Sequence, residues 1–179
     1  MQVDVNNAGV GGAGIFASGF RNPTTLLPWL REQLSRGVQY DWVIALMGIN
    51  DLLREGKPAD QIMAGLQEVY LQSLLSGANV MAIAPLPAPG FVSQSDFKEG
   101  ERLKLHDLIR GAAQTWNSQN PMGPMFIVGD LGVEGPMDFW KMSPRERGQW
   151  LDDGLHLTPK GYDWMGRLIA DDLFSMIRK

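Results

Sequence analysis

The chain has 179 residues, of which 44% are hydrophobic, and it includes six tryptophans and seven phenylalanines. This length and composition predict one globular domain over residues 1–179, with enough apolar surface for a buried core. A formal charge of -4, with no block of five like charges, gives no field that would attract nucleic acid or anionic lipid. No apolar run approaches the roughly 18 to 20 residues needed to cross a bilayer.

The start of the chain and its cysteine content bear on the compartment. Residues 1–20 lack a basic start followed by an apolar core, so no signal peptide is visible and the cytoplasm is slightly favoured. The chain contains no cysteine, which excludes disulfides, thiol catalysis and thiolate-bound metal without settling the compartment.

Short apolar runs alternate along the chain with longer amphipathic segments. Four runs bounded by Gly, Pro, Asn or Asp predict buried strands, at residues 2–6, 42–47, 80–84 and 125–128. Apolar residues recur at helical spacing between them, beginning at Leu26, Ile62 and Leu103. In the last helix, Thr158 can cap the N-terminus and Pro159 suits the first turn. The alternation predicts an α/β fold with a parallel sheet covered on both faces, and any site at the carboxyl ends of its strands.

The first candidate motif is the glycine-rich segment 7–14, directly after the first predicted strand. Gly9, Gly11 and Gly14 satisfy GxGxxG, in which the backbone approaches a pyrophosphate at a helix N-terminus. Pro23 interrupts the helix that should follow, and no second strand ends in an acidic residue at the expected distance, which disfavours a nucleotide site. A turn without a ligand, and a loop whose amides bind an anion or a developing oxyanion, both stay open.

The second motif, Met-Gly-Ile-Asn-Asp at residues 47–51, follows the strand predicted at 42–47. A strand that delivers a glycine and then an amide side chain into a loop can aim a fixed NH2 donor at the upper edge of the sheet. Asn50 is therefore the candidate donor. The alternative is that Asn50 and Asp51 only cap the next segment or form an Asx turn.

The third motif is Asp-Gly-Leu-His at residues 153–156, just ahead of the last helix. A histidine in such a loop is held by the scaffold yet can face a cleft, and a nearby carboxylate can fix its tautomer and stabilise its charged form. His156 is therefore a candidate general base, with Asp153 as its partner. The alternative is a surface loop that only starts the helix, because helix entries are rich in acidic residues.

The other histidine, His106, lies among charged residues in a helical segment away from any predicted strand end. We expect it to be solvated or paired locally. Because the two histidines lie far apart in sequence, with no HExxH pattern and no cysteine, we expect no metal site.

Together these motifs resemble the SGNH hydrolase family, also called GDSL-type esterases and lipases. Three of the family's four blocks appear in order over nearly the whole chain, at residues 7–12, 48–51 and 153–156. The resemblance implies a flavodoxin-like, three-layer α/β/α fold. It also implies hydrolysis of an ester of a small or medium acyl group, by a serine carboxylesterase without metal or organic cofactor.

The resemblance also implies roles for individual residues. Gly12 corresponds to a backbone oxyanion donor and Asn50 to a side-chain oxyanion donor. His156 corresponds to the base and Asp153 to its orienting acid. Asp152 competes for the last role, but the family spacing Asp-x-x-His selects Asp153.

The nucleophile block of the family, a strand ending in Gly-Asp-Ser, does not precede residue 2. Gly-Asp-Leu at 129–131 carries leucine in place of serine and is interpreted as structural, and Ser18 lies beyond the glycine loop, so the nucleophile is unknown. In the family this strand runs between those represented in this chain by residues 2–6 and 42–47. The gap can be closed by pairing these two strands, by a strand from a second copy in a homodimer, or by residues preceding a truncated start; we favour the truncated start.

Three functions stay open. The chain is a serine ester hydrolase or its truncated form, a non-catalytic relative that binds an ester, glycan or protein through the old cleft, or a nucleotide-binding protein that uses the loop at 9–14. In the first case, apolar side chains ahead of the acid–base block could wall an acyl pocket, or they could simply pack under a long connection: Phe139, Trp140, Met142 and Trp150.

Overall fold

The computed structural model describes residues 4–9, 13–15 and 26–177. The predicted helices and three of the four predicted strands are confirmed, with boundaries close to those expected from periodicity. In chain order the elements are α1 Leu26–Ser35, β1 Trp42–Leu46, α2 Ile49–Leu53, α3 Ala59–Leu75, β2 Asn79–Ile83, α4 Phe97–Gln119, β3 Phe126–Val128, a 3-10 turn Phe139–Lys141, α5 Pro144–Trp150 and α6 Pro159–Ile177.

The three strands form one parallel sheet in the order β1-β2-β3. Trp42 lies beside Asn79, and Val80 lies beside Phe126. Helix α3 connects β1 to β2 and α4 connects β2 to β3, because parallel neighbours need a crossover between them. All three strands therefore end at the same edge of the sheet, and the loops that follow them gather there.

Helices cover both faces of this sheet, as the predicted three-layer arrangement requires. Side chains alternate between the faces along β2, so that Val80 and Ala82 pack under α3 and α4, whereas Met81 and Ile83 pack under α6 and the segment before it. Two cores result, one on each side. Within the described ranges, no helix combines the length and the hydropathy needed to span a bilayer.

The strand predicted at residues 2–6 is a wrong prediction. Residues 4–6 lie in no strand, and residues 2 and 3 fall outside the described part of the chain. In the described part, β1 pairs only with β2, and its Ile44 and Leu46 side chains stay 45% and 38% exposed. An apolar run becomes a strand only where a neighbour accepts its backbone hydrogen bonds, and residues 4–6 have no such neighbour among the described residues.

The expectation that His106 is solvated is also wrong. His106 is 1% exposed, and its Nε2 lies 2.7 Å from Asp130 Oδ1. A local contact is present as well, since Arg110 Nη2 lies 3.4 Å from His106 Nε2, whereas Nδ1 has no hydrogen-bond partner in the described part. Position 106 adjoins Leu105 on the buried side of α4, so burial follows from helix packing and not from the charged neighbours in sequence. Asp130 thus ties α4 to the end of β3.

Helix α5 was not predicted, although its start carries a clear sequence signal. The Ser143 hydroxyl accepts the Glu146 backbone N–H at 3.3 Å, and the Glu146 carboxylate accepts the Ser143 backbone N–H at 2.8 Å. Pro144 occupies the first turn. This reciprocal capping box marks a helix start even where the helix is too short for periodicity to reveal it.

Candidate active site

The loop before α6 holds an imidazole against a carboxylate. His156 Nδ1 lies 2.7 Å from Asp153 Oδ2. The other oxygen, Oδ1, accepts the backbone N–H groups of His156 at 2.8 Å and of Leu155 at 2.9 Å. The His156 backbone N–H, then the His156 side chain and the Leu155 N–H, hold the pKa of Asp153 below its usual range. Because an ionised carboxylate only accepts, Nδ1 carries the proton and Nε2 of the neutral imidazole carries the lone pair that a base needs.

Backbone contacts fix this loop on both sides. An antiparallel bridge joins Leu151 to Leu157, and within it the Asp152 N–H donates to the His156 carbonyl at 2.9 Å. Thr158 caps α6 as predicted, since its hydroxyl accepts the Gly161 N–H at 3.1 Å. The acid–base pair therefore stands on a closed loop that leads directly into a long helix.

The Asn50 side chain lies in the first turn after β1. Its Nδ2 donates to the Ala13 carbonyl at 2.9 Å, so it binds the glycine-rich segment and does not cap its own helix. A primary amide has two N–H donors, and the second has no acceptor among the described residues. Asn50 can therefore hold the glycine-rich segment and still offer a donor to a ligand.

Asp51 has a role that the sequence analysis missed. Its carboxylate is fully buried, accepts the Ile15 N–H at 2.9 Å, and lies 3.4 Å from Lys57 Nζ. A Cβ on Gly14 would come within 3.1 Å of the same carboxylate. Asn50 and Asp51 together anchor residues 13–15 to the end of β1. The only sequence signal was the acid directly after the amide, which equally suits a helix cap.

This anchoring also bears on the nucleotide interpretation of the glycine loop. The Ile15 amide, at the end of the GxGxxG pattern, is used by a buried carboxylate and not left for a phosphate. Gly9 donates to the Asn7 side chain at 2.9 Å in a local turn. A buried aspartate beside this segment disfavours a second anion there. Gly11 and Gly12 lie outside the described residues, so the oxyanion role of Gly12 stays a prediction.

The loop after β2 connects the Asn50 turn with the His156 loop. Gly48, two residues before Asn50 and with φ of 102°, lies beside Pro85, since an added Cβ would be in ordinary contact with the proline ring at 3.7 Å. At the other end of this loop, the Gly90 N–H donates to the Gly154 carbonyl at 3.1 Å. The two predicted site regions therefore lie at the same edge of the sheet, joined through residues 85–90.

The aromatic residues ahead of Asp153 favour the packing interpretation. Phe139 is fully buried under the sheet, and Met142 and Trp150 pack against the same core. The Trp150 ring lies 4.4 Å from that of Trp164. A cavity of about 250 Å³ lies elsewhere, between β3 and the second half of α6, and its lining includes neither His156 nor Asn50. The acyl pocket predicted at these aromatics stays a prediction.

The described residues supply no nucleophile to the acid–base pair. Within the described ranges, Nε2 of His156 makes no hydrogen bond, and the His156 and Asp153 side chains are 66% and 46% exposed. Ser18 falls outside those ranges. The His156 imidazole is thus oriented by Asp153, and its Nε2 is free to meet a nucleophile that the described part of the chain does not provide.

A family model described as a GDSL-like lipase/acylhydrolase matches residues 1–164. The chain belongs to this family. Its structure is similar to that of a carbohydrate esterase family 3 protein from Talaromyces cellulolyticus, with a TM-score of 0.63 and 18% identity over 93% of this chain and 69% of that chain. The family match and the similarity to solved esterase structures support the conclusion that this chain is a hydrolase of ester bonds.

Two further solved structures have the same fold. An acetylxylan esterase from Geobacillus stearothermophilus gives a TM-score of 0.57 and 17% identity over 80% of this chain and 65% of that chain. A GDSL-like lipase from Bacteroides thetaiotaomicron gives a TM-score of 0.56 and 20% identity over 84% of this chain and 69% of that chain. This chain thus spans about two thirds of the length of these structures.

Proposed function

We propose that this chain carries the acid–base pair and the oxyanion donors of a serine ester hydrolase that acts on small or medium acyl esters. The observation that supports this most is the His156–Asp153 pair, with a 2.7 Å contact at Nδ1 and Nε2 open. Asn50 and Gly12 supply the oxyanion donors. The likeness to an acetylxylan esterase supports a small acyl group such as acetyl.

The chemistry follows from these positions. Nε2 of His156 takes the proton of a serine hydroxyl as the serine oxygen attacks the ester carbon, and Asp153 stabilises the imidazolium that forms. The second N–H of Asn50 and the Gly12 N–H donate to the carbonyl oxygen as it becomes negative. The imidazolium then protonates the leaving alkoxide as the C–O bond breaks. Water repeats the sequence on the acyl-serine and releases the acid.

The serine belongs to a strand that pairs with the outer edge of β1. That edge meets no other strand in the described part of the chain, and Ile44 and Leu46 expose apolar surface beside it. A strand added there in parallel would end beside the Asn50 turn, at the same edge of the sheet as the loops that follow β1, β2 and β3. We propose that this strand lies N-terminal to Met1. A strand from a second copy is the alternative.

Hydrolysis of p-nitrophenyl acetate tests this proposal. The chain would be compared with a version extended at its N-terminus by an apolar strand ending in Gly-Asp-Ser. The extended version should turn over the ester, and His156→Ala should lower kcat by about 10²- to 10⁴-fold, the usual contribution of a general base. Asn50→Ala should lower it by about 10²-fold or more. An extension with Ala in place of its serine is the matched control and should be inactive.

Other outcomes separate the alternatives. Turnover by the unextended chain that rises more steeply than its concentration would indicate a nucleophile from a second copy. A folded, extended protein that binds the ester but neither hydrolyses it nor reacts with a fluorophosphonate would favour the non-catalytic binding protein. This second function is supported by the exposed Nε2 of His156, which has no serine hydroxyl as a partner in the described ranges.

A further inference from the structure

Arg102 is a buried cation beneath the edge of the sheet where the strands end. It lies on α4 and is 2% exposed, and Glu99, one turn earlier, is 3% exposed. The two form a bidentate pair, with Nε and Nη2 of Arg102 at 2.9 and 2.7 Å from the Glu99 oxygens. A buried ion pair gives little net stability over apolar residues of similar volume. Stability alone therefore does not account for a charge pair at this place.

The third nitrogen of Arg102 binds the loops that follow two different strands. Nη1 donates to the Pro85 carbonyl, just after β2, at 3.0 Å and to the Gly132 carbonyl, just after β3, at 3.4 Å. Neither carbonyl belongs to the sheet ladder. A guanidinium can hold a carboxylate with one edge and reach these carbonyls with its remaining N–H groups, whereas a lysine ammonium has no such planar fork.

The segment between Pro85 and Gly90 is stiff and closely packed. Its sequence is Pro-Leu-Pro-Ala-Pro-Gly, and each proline fixes its own φ. Pro87 and Ala88 are buried. A Cβ added to Gly132 would stand 2.9 Å from the Pro87 ring, so the loop after β3 presses against this segment. A displacement at Pro85 would therefore be passed along the segment and not absorbed within it.

The far end of this segment touches the acid–base loop backbone to backbone. The Gly90 N–H donates to the Gly154 carbonyl at 3.1 Å. A Cβ on Gly90 would stand 2.3 Å from the Asp153 carbonyl oxygen, and a Cβ on Gly154 would stand 2.5 Å from the Gly90 Cα. Two glycines are needed for so close an approach. The carbonyl and the side chain of Asp153 belong to one residue, so this contact constrains the backbone that carries the acid–base pair.

We propose that Arg102 is a positioning residue for the acid–base pair, acting through the segment 85–90. Arg102 anchors the first residue of this segment, and the last residue holds Gly154. The inference rests on the proposed function only in taking His156 and Asp153 as the groups that are positioned. Arg102 lies under the loops and acts on the pair at a distance.

Hydrogen exchange of the Gly90 amide, followed by NMR, tests this in the chain as it is. Arg102→Lys should speed exchange at Gly90 at least tenfold while amides in the core of α3 keep their protection. Arg110→Lys is the control on the same helix, because the contacts of Arg110 in the described part are with Asp130 and His106 and include neither Pro85 nor Gly132. Equal Gly90 exchange in Arg102→Lys, Arg110→Lys and the unchanged protein would overturn the proposal.

A second variant covers the case in which Arg102→Lys does not fold. Replacing Arg102 and Glu99 together by methionine removes the buried charges and should preserve folding. It leaves the Pro85 and Gly132 carbonyls without a donor, so Gly90 should lose more protection than the core amides of α3 do. Retained Gly90 protection in this double variant would overturn the proposal. A merely structural role predicts the reverse, a change in stability with no selective change at Gly90.

Turnover separates this inference from the proposed function. In the extended protein, Arg102→Lys should lower kcat severalfold with little change in KM, because it misplaces the base without touching the substrate. If Gly90 responds as expected but no version hydrolyses an ester, only the proposed function fails. If the extended protein is active and Arg102→Lys alters neither Gly90 exchange nor kcat, only the positioning role fails.

Discussion

The two sides of the site are held by different means. On the side of His156, the loop is closed by a backbone bridge, backed by Gly90 and followed by a 19-residue helix. On the side of Asn50, residues 13–15 are held by the two side chains of Asn50 and Asp51, and β1 has only one neighbouring strand in the described part. The His156 side is thus held by backbone contacts within this chain, whereas the described part of the Asn50 side is held by a few side chains.

The largest expected change in stability is at Asp51, which helps to hold residues 13–15. Asp51→Ala removes a buried carboxylate that holds the Ile15 amide and pairs with Lys57, and it should lower the free energy of unfolding by about 3 kcal/mol. Asp60→Ala removes an exposed pair with Lys104 and should change it by about 0.5 kcal/mol or less. Urea denaturation measures both. Similar values for the two variants would show that Asp51 does not anchor the glycine-rich segment.

The next largest change in stability is expected at Gly154, in the loop that carries His156. Gly154 and Gly77 both have positive φ, but a Cβ on Gly154 would collide with Gly90, whereas a Cβ on Gly77 meets nothing within 4 Å. Gly77→Ala should destabilise the fold by about 1 kcal/mol from backbone strain. Gly154→Ala adds a backbone collision to that strain and should destabilise it by about 2 kcal/mol or more. Thermal unfolding compares the two, and equal losses would mean that the Gly90–Gly154 contact is not tight.

A substitution on β1 tests whether a further strand pairs with it, with only a small expected change in the stability of this chain. Ile44→Lys places a charge on a half-exposed strand and should change the stability of this chain by only about 0.5 kcal/mol. In the extended protein the same change should strongly lower ester turnover, because a charge on an edge strand discourages the pairing of a further strand. Leu75→Lys, at an exposed position of α3, is the control and should leave turnover unchanged. Undiminished turnover in Ile44→Lys would contradict strand addition at β1.

The smallest expected effect is a change at acid pH in the stability that Asp153 contributes. Because the pKa of Asp153 is lowered in the folded chain, its carboxylate stabilises the fold fully above the unfolded pKa of about 3.9. This contribution is lost as the pH falls through the still lower folded pKa. The stability difference between the unchanged chain and Asp153→Asn should therefore be largest near neutral pH and shrink below about pH 4. Asp152→Asn is the control, and a difference for Asp153→Asn that grows in acid would contradict the assignment.

The parts of the fold that the sequence predicted are those governed by local pattern. Periodicity located β1, β2, β3 and the long helices, and the spacing of Asp153 and His156 predicted their contact. A carboxylate three residues before a histidine can reach the ring nitrogen within one turn of chain. No distant residue is needed for that contact.

The parts that it missed depend on residues far apart in the chain. Whether residues 2–6 form a strand depends on a neighbour, and Asn50 meets Ala13 across 37 positions. The charged run around His106 looked solvent-exposed, yet packing of α4 buries both Arg102 and His106. The approach of Gly90 to Gly154 joins two loops whose glycines each suit an ordinary turn. No local pattern distinguishes a glycine that turns the chain from one that lets two backbones meet.

A crystal structure of the extended chain after reaction with a fluorophosphonate would show whether the added serine, Asn50 and His156 form one site. We expect the added serine to be phosphonylated, with one phosphonyl oxygen about 3 Å from Asn50 Nδ2 and from the Gly12 amide. Nε2 of His156 should lie within about 3 Å of the serine oxygen. A phosphonylated serine whose phosphonyl oxygen points away from Asn50, or which lies on another side of the sheet from His156, would contradict this expectation.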